Sequence, residues 1–488
     1  MKSVIELKRG IIMYDVIVIG AGITGTLLAK DLSRYNLKVA VLEKENDIAD
    51  GATMANSAIV HTGYDPEDGT LKASMNVQGA RLYPQLCKDL HCKYKTVGAY
   101  VVACGEQEEA HLSVLADRAD RRGISYRWLT GDEARAEEPN LQDSITKVLD
   151  FYTTAVIYPW EVAIACAEVA IQNGVKFYLN HEVQSIEYEK DHYCIHTIEE
   201  YFDTKIVVNA AGIGAEKIYR MVSPEPNFHI TPRKGEYFVL DNDVHYVNHI
   251  IFPVPGPNGK GVLAVPTVYG NTLIGPNSTY TEGTPDTGTT DDGMNIVRKN
   301  ISKTMKNVPY AKVIRSFAGL RPSSTSKDFI IEEAKDAPNF INIASIESPG
   351  LASAPGISQY VIEHILSNKL NLIEDSNAIM IRKKTVVMAD LTPEERDAKI
   401  KENPLYAKII CRCEQISEGE IVDCIHSLAG ATTIKGVKKR VRPGMGRCQG
   451  GFCEPRVLAI LARELHISPL DVVLDSKKSL ILEKENRS

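Results

Sequence analysis

No apolar run in this 488-residue chain approaches the ~20 residues that a membrane span needs. The N-terminal MKSVIELKRGII lacks the apolar core and cleavage site of a secretory signal. A net charge of −7 gives no global field for nucleic acid. The chain has no internal repeat and no low-complexity tract. A disulfide framework is also missing. Of ten cysteines, five (Cys87, Cys92, Cys104, Cys166, Cys194) are scattered and five fall between Cys411 and Cys453. In a long chain without a secretion signal, that clustering points to a metal site in a reducing compartment. The expectation is a cytoplasmic protein that reaches a membrane only through a partner.

The apolar fraction of 44% is ordinary for a globular protein, and the length implies two or three domains. The organising stretch is Tyr14–Lys44. Asp15–Ile19 is a β-branched run of the kind buried on both faces of a sheet, followed by Gly20, Gly22 and Gly25 as G-x-G-x-x-G. A helical spacing covers Thr24–Arg34, and a second strand, Lys38–Leu42, ends on Glu43. Gly20 permits the tight turn, Gly22 admits a pyrophosphate to the backbone, and Gly25 lets the helix sit close on the strand. The helix N-terminus offers N–H groups to phosphate, and Glu43 is placed to accept from ribose hydroxyls. Met13 stands just before this strand, so residues 1–12 read as an extension or an upstream start choice.

From Glu43 to Leu71 the chain is small and polar, which reads as a long ordered loop running along a cofactor. Helices are expected over Leu71–Leu90, Tyr158–Asn173 and Gly356–Leu366, and two strands around the EKD turn within Val175–Ile198. Lys205–Gly214 is a buried strand with a small-residue end. It is no second G-x-G-x-x-G, since Lys217 takes the third glycine position, so no nicotinamide site is visible. Ile230–Ile274 is strand-rich and suggests an antiparallel sheet facing the cofactor, and Lys312–Pro322 is a strand ending on Arg321. The expected fold class is α/β plus α. A Rossmann-type domain comprises 13–95, 150–225 and 312–370, with an inserted antiparallel-sheet substrate domain at 96–149 and 226–311. A linker at 371–408, helical in its charged part 390–404, leads to a small helical domain at 409–474. There Ser417 and Glu420 form a capping box, and Pro455 sits in the first turn of a helix from about Glu454 to Leu465.

Cys411, Cys413, Cys448 and Cys453 give C-x-C, a 34-residue gap and C-x₄-C. Glycines in RCQGGFC allow backbone N–H groups to turn toward sulfur, and four thiolates on two short loops suit a [2Fe–2S] cluster. Zinc would also accept four cysteines, although its usual knuckle is C-x₂-C. Cys424 reads as a core residue. Lys435–Arg447 holds six basic residues and no acid. It reads as a solvated helix face or, more sharply, as a patch that offsets cluster charge and steers an acidic electron partner. His61, in NSAIVHTG, is a natural general base for an alcohol. Lys260 in NGKGVLAVP, Arg321 in GLRPSS and Ser348 in ESPGL together would make an anion-binding substrate pocket.

The motifs IGAGITG, MANSAIVHTGYDP, TPRKGEYFVL, NGKGVLAVPTVYGNTLIGP, SFAGLRPSSTSKDFII and ESPGLASAPGI resemble those of the type 2 glycerol-3-phosphate oxidases and dehydrogenases. These are FAD enzymes of the D-amino-acid-oxidase/glycine-oxidase superfamily, close to L-2-hydroxyglutarate dehydrogenases. The likeness covers about 13–370. The C-terminal module at 409–474 is similar to the bacterioferritin-associated-ferredoxin-like [2Fe–2S] domain. The resemblance implies His61 as catalytic base, and Lys260, Arg321 and Ser348 as holders of the substrate phosphate. It implies FAD contacts from Gly20, Gly22, Ile23, Thr24, Gly25, Glu43, Lys44, Thr53, Asn56, Ser57, Ile59, Val183, Gly212, Gly350 and Leu351. The expected activity is oxidation of glycerol 3-phosphate to dihydroxyacetone phosphate. Electrons would pass through the cluster to an electron-accepting flavoprotein or iron–sulfur subunit. The rivals are an L-2-hydroxyglutarate dehydrogenase, whose carboxylate Arg321 would suit equally, and a non-catalytic electron-transfer subunit.

Overall fold

The computed structural model describes residues 9–256, 261–281 and 286–484. The fingerprint strand, Arg9–Ile19, lies inside a parallel array in the order Phe340–Ala344, Tyr201–Asn209, Arg9–Ile19, Val39–Leu42, Lys176–Tyr178. The strand starts at Arg9, so residues 9–12 continue the sheet and do not stand outside the fold. Its alternate side chains enter different cores. Val16 and Val18 pack with the helices Ile23–Leu32, Pro159–Gln172 and Gly350–Tyr360, whereas Ile17 and Ile19 join Tyr193, Ile218 and Phe340. A strand covered on both faces has no use for polar residues, which explains the unbroken apolar run. The EKD turn closes the hairpin Val183–Glu189 and His192–Thr197, which adds to the sheet through the first half of Tyr201–Asn209.

The helix expected at Gly356–Leu366 begins earlier, at Gly350, and ends in a π turn over Val361–Ile365. Pro355 lies inside it and cannot donate to the carbonyl four residues back. That carbonyl, Leu351 O, instead accepts from the buried Tyr83 hydroxyl at 2.7 Å. Tyr83 belongs to the helix Leu71–Asp89, which crosses Gly350–Tyr360 closely. A β-carbon on Gly79 would stand 2.1 Å from Ala352 O.

The second sheet is dominated by two long antiparallel strands, Ile230–Leu240 and Val313–Ser324, in the register Arg233↔Arg321, Gly235↔Gly319, Tyr237↔Phe317. This pairing corrects the boundary expected at 312: the strand from 313 belongs to the second sheet, and the chain rejoins the first one after it. One face packs Tyr237, Phe252 and Ile59 together. The other is covered by the helix Asp291–Ile301, which has no counterpart in the sequence reading. Its signals are plain in retrospect: a Thr290 cap, two acids in the first turn, and Met294, Val297 and Ile301 at helical spacing.

Within 371–408 the helix read at 390–404 is present as Pro393–Glu402, and the residues before it are strapped to the first domain by Arg382–Glu168 at 2.5 Å and by Asn173 against Ile379. Beyond it the helices Glu418–Ile425, Ile434–Val441 and Glu454–Leu465 enclose a core around Ile421, Val437 and Leu461. The Ser417/Glu420 capping box is present with both reciprocal bonds, Pro455 is in the first turn, and Cys424 is buried in the core. No helix among the described residues is long and apolar enough to cross a membrane.

Candidate functional site

The carboxyl ends of the parallel strands converge on the glycine turn, where open α/β sheets bind their ligands. Gly20 (φ +108°) donates its N–H to Leu42 O, and Ala210 donates to Ile19 O. A β-carbon on Gly25 would stand 2.0 Å from Gly20 O, which is the close helix–strand contact that demands glycine. A β-carbon on Gly22 would meet only Thr53 Oγ1, at 3.4 Å, so that side of the turn is open to a ligand. Gly22 is the N-cap and has no side chain to cap with; Thr53 supplies the missing oxygen, accepting from Ile23 N–H at 2.9 Å. Thr24 lies half-buried in the same first turn.

Glu43 accepts from Ala21 N–H at 2.7 Å and from Glu45 N–H at 2.9 Å. Burial pushes its carboxyl up, against the pull of those two donors. Lys44 is exposed and pairs with Glu45. The segment leading to Val183 lies alongside, with His181 N–H on Glu43 O and Asn180 N–H on Glu45 O. Gly212 (φ +58°) opens the turn after Tyr201–Asn209, with nothing within 4 Å of an added β-carbon. Gly350 and Leu351 begin the helix that Tyr83 secures. These residues leave an open, donor-rich rim that fits a dinucleotide.

The loop after Glu43 passes from this rim to the second sheet. Asn56 ties it to itself through Ala52 O, Thr53 O and Ala58 N–H. Ser57 Oγ meets Tyr237 OH at 3.1 Å, and Ala55 O lies where a β-carbon on Gly319 would be. Ile59–Val60 then forms a short strand, and His61 follows, buried, with its ring 5.6 Å from Phe252 and its carbonyl held by Asn76.

Arg321 lies on the same sheet face as Gly319 and donates to Asn277 O at 3.1 Å. Its guanidinium occupies the space that a side chain at Gly235 would need. Its cross-strand neighbour Arg233 binds Glu347 at 2.7 Å, and Lys72 and Ser323 bind the same carboxylate. Against the desolvation of burial, these partners hold Glu347 below the usual glutamate range. Ser348, exposed, is the next residue. Arg321 and Ser348 are thus linked through Arg233 and Glu347. Lys260 lies outside the described residues. Sequence reasoning missed Arg233, Lys72, Glu347 and Tyr237. The alternation in TPRKGEYFVL, with Arg233, Gly235 and Tyr237 on one face, was the available signal for two of them.

The four cysteines gather on two loops. Cys413 Sγ and Cys448 Sγ are 3.8 Å apart. Cys411 is lowered to about 6 by a hydrogen bond from Cys453 and by the N–H groups of Gly444 and Glu414. Gly450 and Phe452 N–H groups overcome desolvation to lower Cys448. Oriented donors thus favour thiolate at Cys411 and Cys448, while Cys453 is pushed up by its bond to Cys411 and Cys413 by burial; backbone donors aimed at sulfur suit the cysteine ligands of a cluster.

The basic stretch Lys435–Arg447 is neither a solvated face nor an open steering patch. Lys439 and Arg440 are buried against Asp47 and Asp50 of the first domain, and Arg442 binds Glu414 and lies 3.6 Å over the Tyr269 ring. Exposed Arg447 is spanned by Asp241 and Asp243. The run has no acids of its own because its acids come from elsewhere in the chain.

Residues 15–364 match the family described as FAD dependent oxidoreductase, and residues 409–463 the BFD-like [2Fe-2S] binding domain. The chain is 44% identical to a glycerol 3-phosphate dehydrogenase of Caloramator mitchellensis, over 98% of this chain and 99% of that one. It is 32% identical to a glycerol 3-phosphate oxidase of Mycoplasma genitalium, over 73% of this chain and 96% of the relative. A solved L-alpha-glycerophosphate oxidase from Mycoplasma pneumoniae with FAD bound superposes with a TM-score of 0.72 at 29% identity, covering 77% of this chain and all of that one.

Proposed function

This chain belongs to the FAD dependent oxidoreductase family, and from that premise we propose how its two redox sites work together. It is an FAD-dependent glycerol-3-phosphate dehydrogenase with a [2Fe–2S] domain. The observation that carries this reading is the end-to-end likeness to a glycerol 3-phosphate dehydrogenase, which includes the iron–sulfur module.

FAD, when bound, accepts a hydride from the substrate C2, and the cluster relays electrons one at a time. The rest falls to side chains. His61 removes the C2 hydroxyl proton, its imidazole held in a dry site by Phe252 and by the Asn76 bond to its backbone. Arg321 takes two oxygens of the phosphate in its fork, with Ser348 and Lys260 completing the anion site. The Glu347 cluster positions the turn that carries Ser348. Glu43 and Val183 serve the ribose and adenine side of FAD, and Gly350 and Leu351 the flavin side.

An outside acceptor would meet the iron–sulfur module at the open side of its cysteine loops. Cys413 is exposed next to exposed Arg412, and in the second cysteine loop Phe452 is 84% exposed between Cys448 and Cys453, with exposed Arg456 following. Exposed arginines and an exposed aromatic ring near the ligands support docking of an acidic electron-accepting flavoprotein or iron–sulfur subunit. Anaerobic bleaching of the flavin tests the assignment: glycerol 3-phosphate should bleach it within turnover time and 2-hydroxyglutarate should not. Bleaching by 2-hydroxyglutarate alone transfers the activity to a 2-hydroxy acid.

A further inference from the structure

Lys439 is the most deeply buried cation at the contact between the iron–sulfur module and the first domain, with a side chain only 1% exposed. An ammonium has three donors, and here each has a different acceptor: Asp47 Oδ2 at 2.8 Å, Asp50 Oδ1 at 2.6 Å and Ile48 O at 2.6 Å. All three acceptors lie in one turn. Arg440 adds a bidentate grip on Asp47, at 2.9 Å from each oxygen. Trp160 Nε1, from the first domain, donates back to Lys439 O.

The turn so held leads directly into the cofactor cradle. Ala49, in the left-handed region at φ +64°, donates its N–H to Ala21 O, between the first two fingerprint glycines. Thr53, three residues past Asp50, takes the Ile23 N–H at the start of the phosphate-facing helix. A residue of the iron–sulfur module thus grips the turn that makes one hydrogen bond to the glycine motif, through Ala49, and leads three residues on to a second, through Thr53.

We propose that Lys439 and Arg440 are positioning residues for FAD: the docked iron–sulfur module holds the 47–50 turn in the shape that the dinucleotide requires, so FAD binding and module docking favour each other. Linkage makes the effect reciprocal, since both events order the same turn.

The test uses the full-length holoprotein in two arms. In the first, FAD release from Lys439→Met is followed by recovery of free-flavin fluorescence on dilution, with cluster absorbance recorded on the same sample. FAD should dissociate at least tenfold faster while the cluster spectrum is kept, and Lys439→Arg should recover part of the loss. The second arm needs no substitution: hydrogen exchange is compared in wild-type protein with and without FAD. Removing FAD should speed exchange in the module helix Ile434–Val441 as well as in 47–53. Unchanged exchange in Ile434–Val441 overturns the proposal, as does FAD release from Lys439→Met at the wild-type rate. If Lys439→Met fails to fold, the exchange arm decides alone.

Discussion

The flavin site and the cluster site are assembled on different scales. The residues proposed to hold FAD come from segments between Gly20 and Leu351, brought together by a parallel sheet, a crossing of two helices at Gly79 and a loop spanning two sheets. The four cysteines sit on two loops of one small helical unit. A long-range site depends on topology and on close backbone approach; a local site depends on loop chemistry. The first should fail gradually when its many supports are cut singly. The second should fail all at once.

The largest effect expected is therefore on the cluster. Cys448→Ser should abolish the [2Fe–2S] spectrum and onward electron transfer, while the FAD that stays bound is still bleached by substrate. Loss of bleaching in the FAD-loaded variant would break the comparison. Next comes the proton acceptor. His61→Asn should keep FAD bound yet slow flavin reduction by ~10²-fold or more, measured by stopped flow under argon. An unchanged rate removes His61 from the chemistry. Arg321→Ala should act mainly on binding. Its half-saturating substrate concentration should rise about ten- to hundredfold, the equivalent of the ~1.5–3 kcal/mol of a hydrogen bond to a charged group. A fall in the limiting rate with unchanged half-saturation would place Arg321 elsewhere.

The smallest effects separate the two sites by stability. Ser417→Ala removes a helix cap inside the iron–sulfur unit and should cost about 1 kcal/mol there, read as earlier thermal loss of cluster absorbance. Tyr83→Phe leaves Leu351 O without its donor and should cost about 1–3 kcal/mol, read as earlier flavin release. Each should move its own chromophore more than the other. A common shift would mean that the two sites melt as one unit.

Much of this was readable in sequence because it is written in short-range chemistry. The glycine turn, the Ser417 cap, the EKD hairpin and the C-x-C loop each declare themselves within a few residues. Long-range compensation was not readable. The helix expected from Gly356 starts six residues earlier, across Pro355, because the donor that satisfies Leu351 O lies on Tyr83. The run of cations up to Arg447 looked solvated because its acids, Asp47, Asp50, Asp241 and Asp243, are hundreds of residues away. Arg233 was hidden beside Arg321 until the strand register was known.

The strap from Leu370 to Met388 also bears on how current flows. It is pinned by Arg382 to Glu168 and by Ile379 to Asn173, and the unit it delivers is clamped by ion pairs and by Arg442 over Tyr269. A fused redox unit on a loose tether would have to swing between donor and acceptor, and its turnover would slow as the solvent thickened. Here the inner electron step has no journey to make, so its rate should be indifferent to glycerol-free viscogens such as sucrose, and only the encounter with an outside acceptor should feel them.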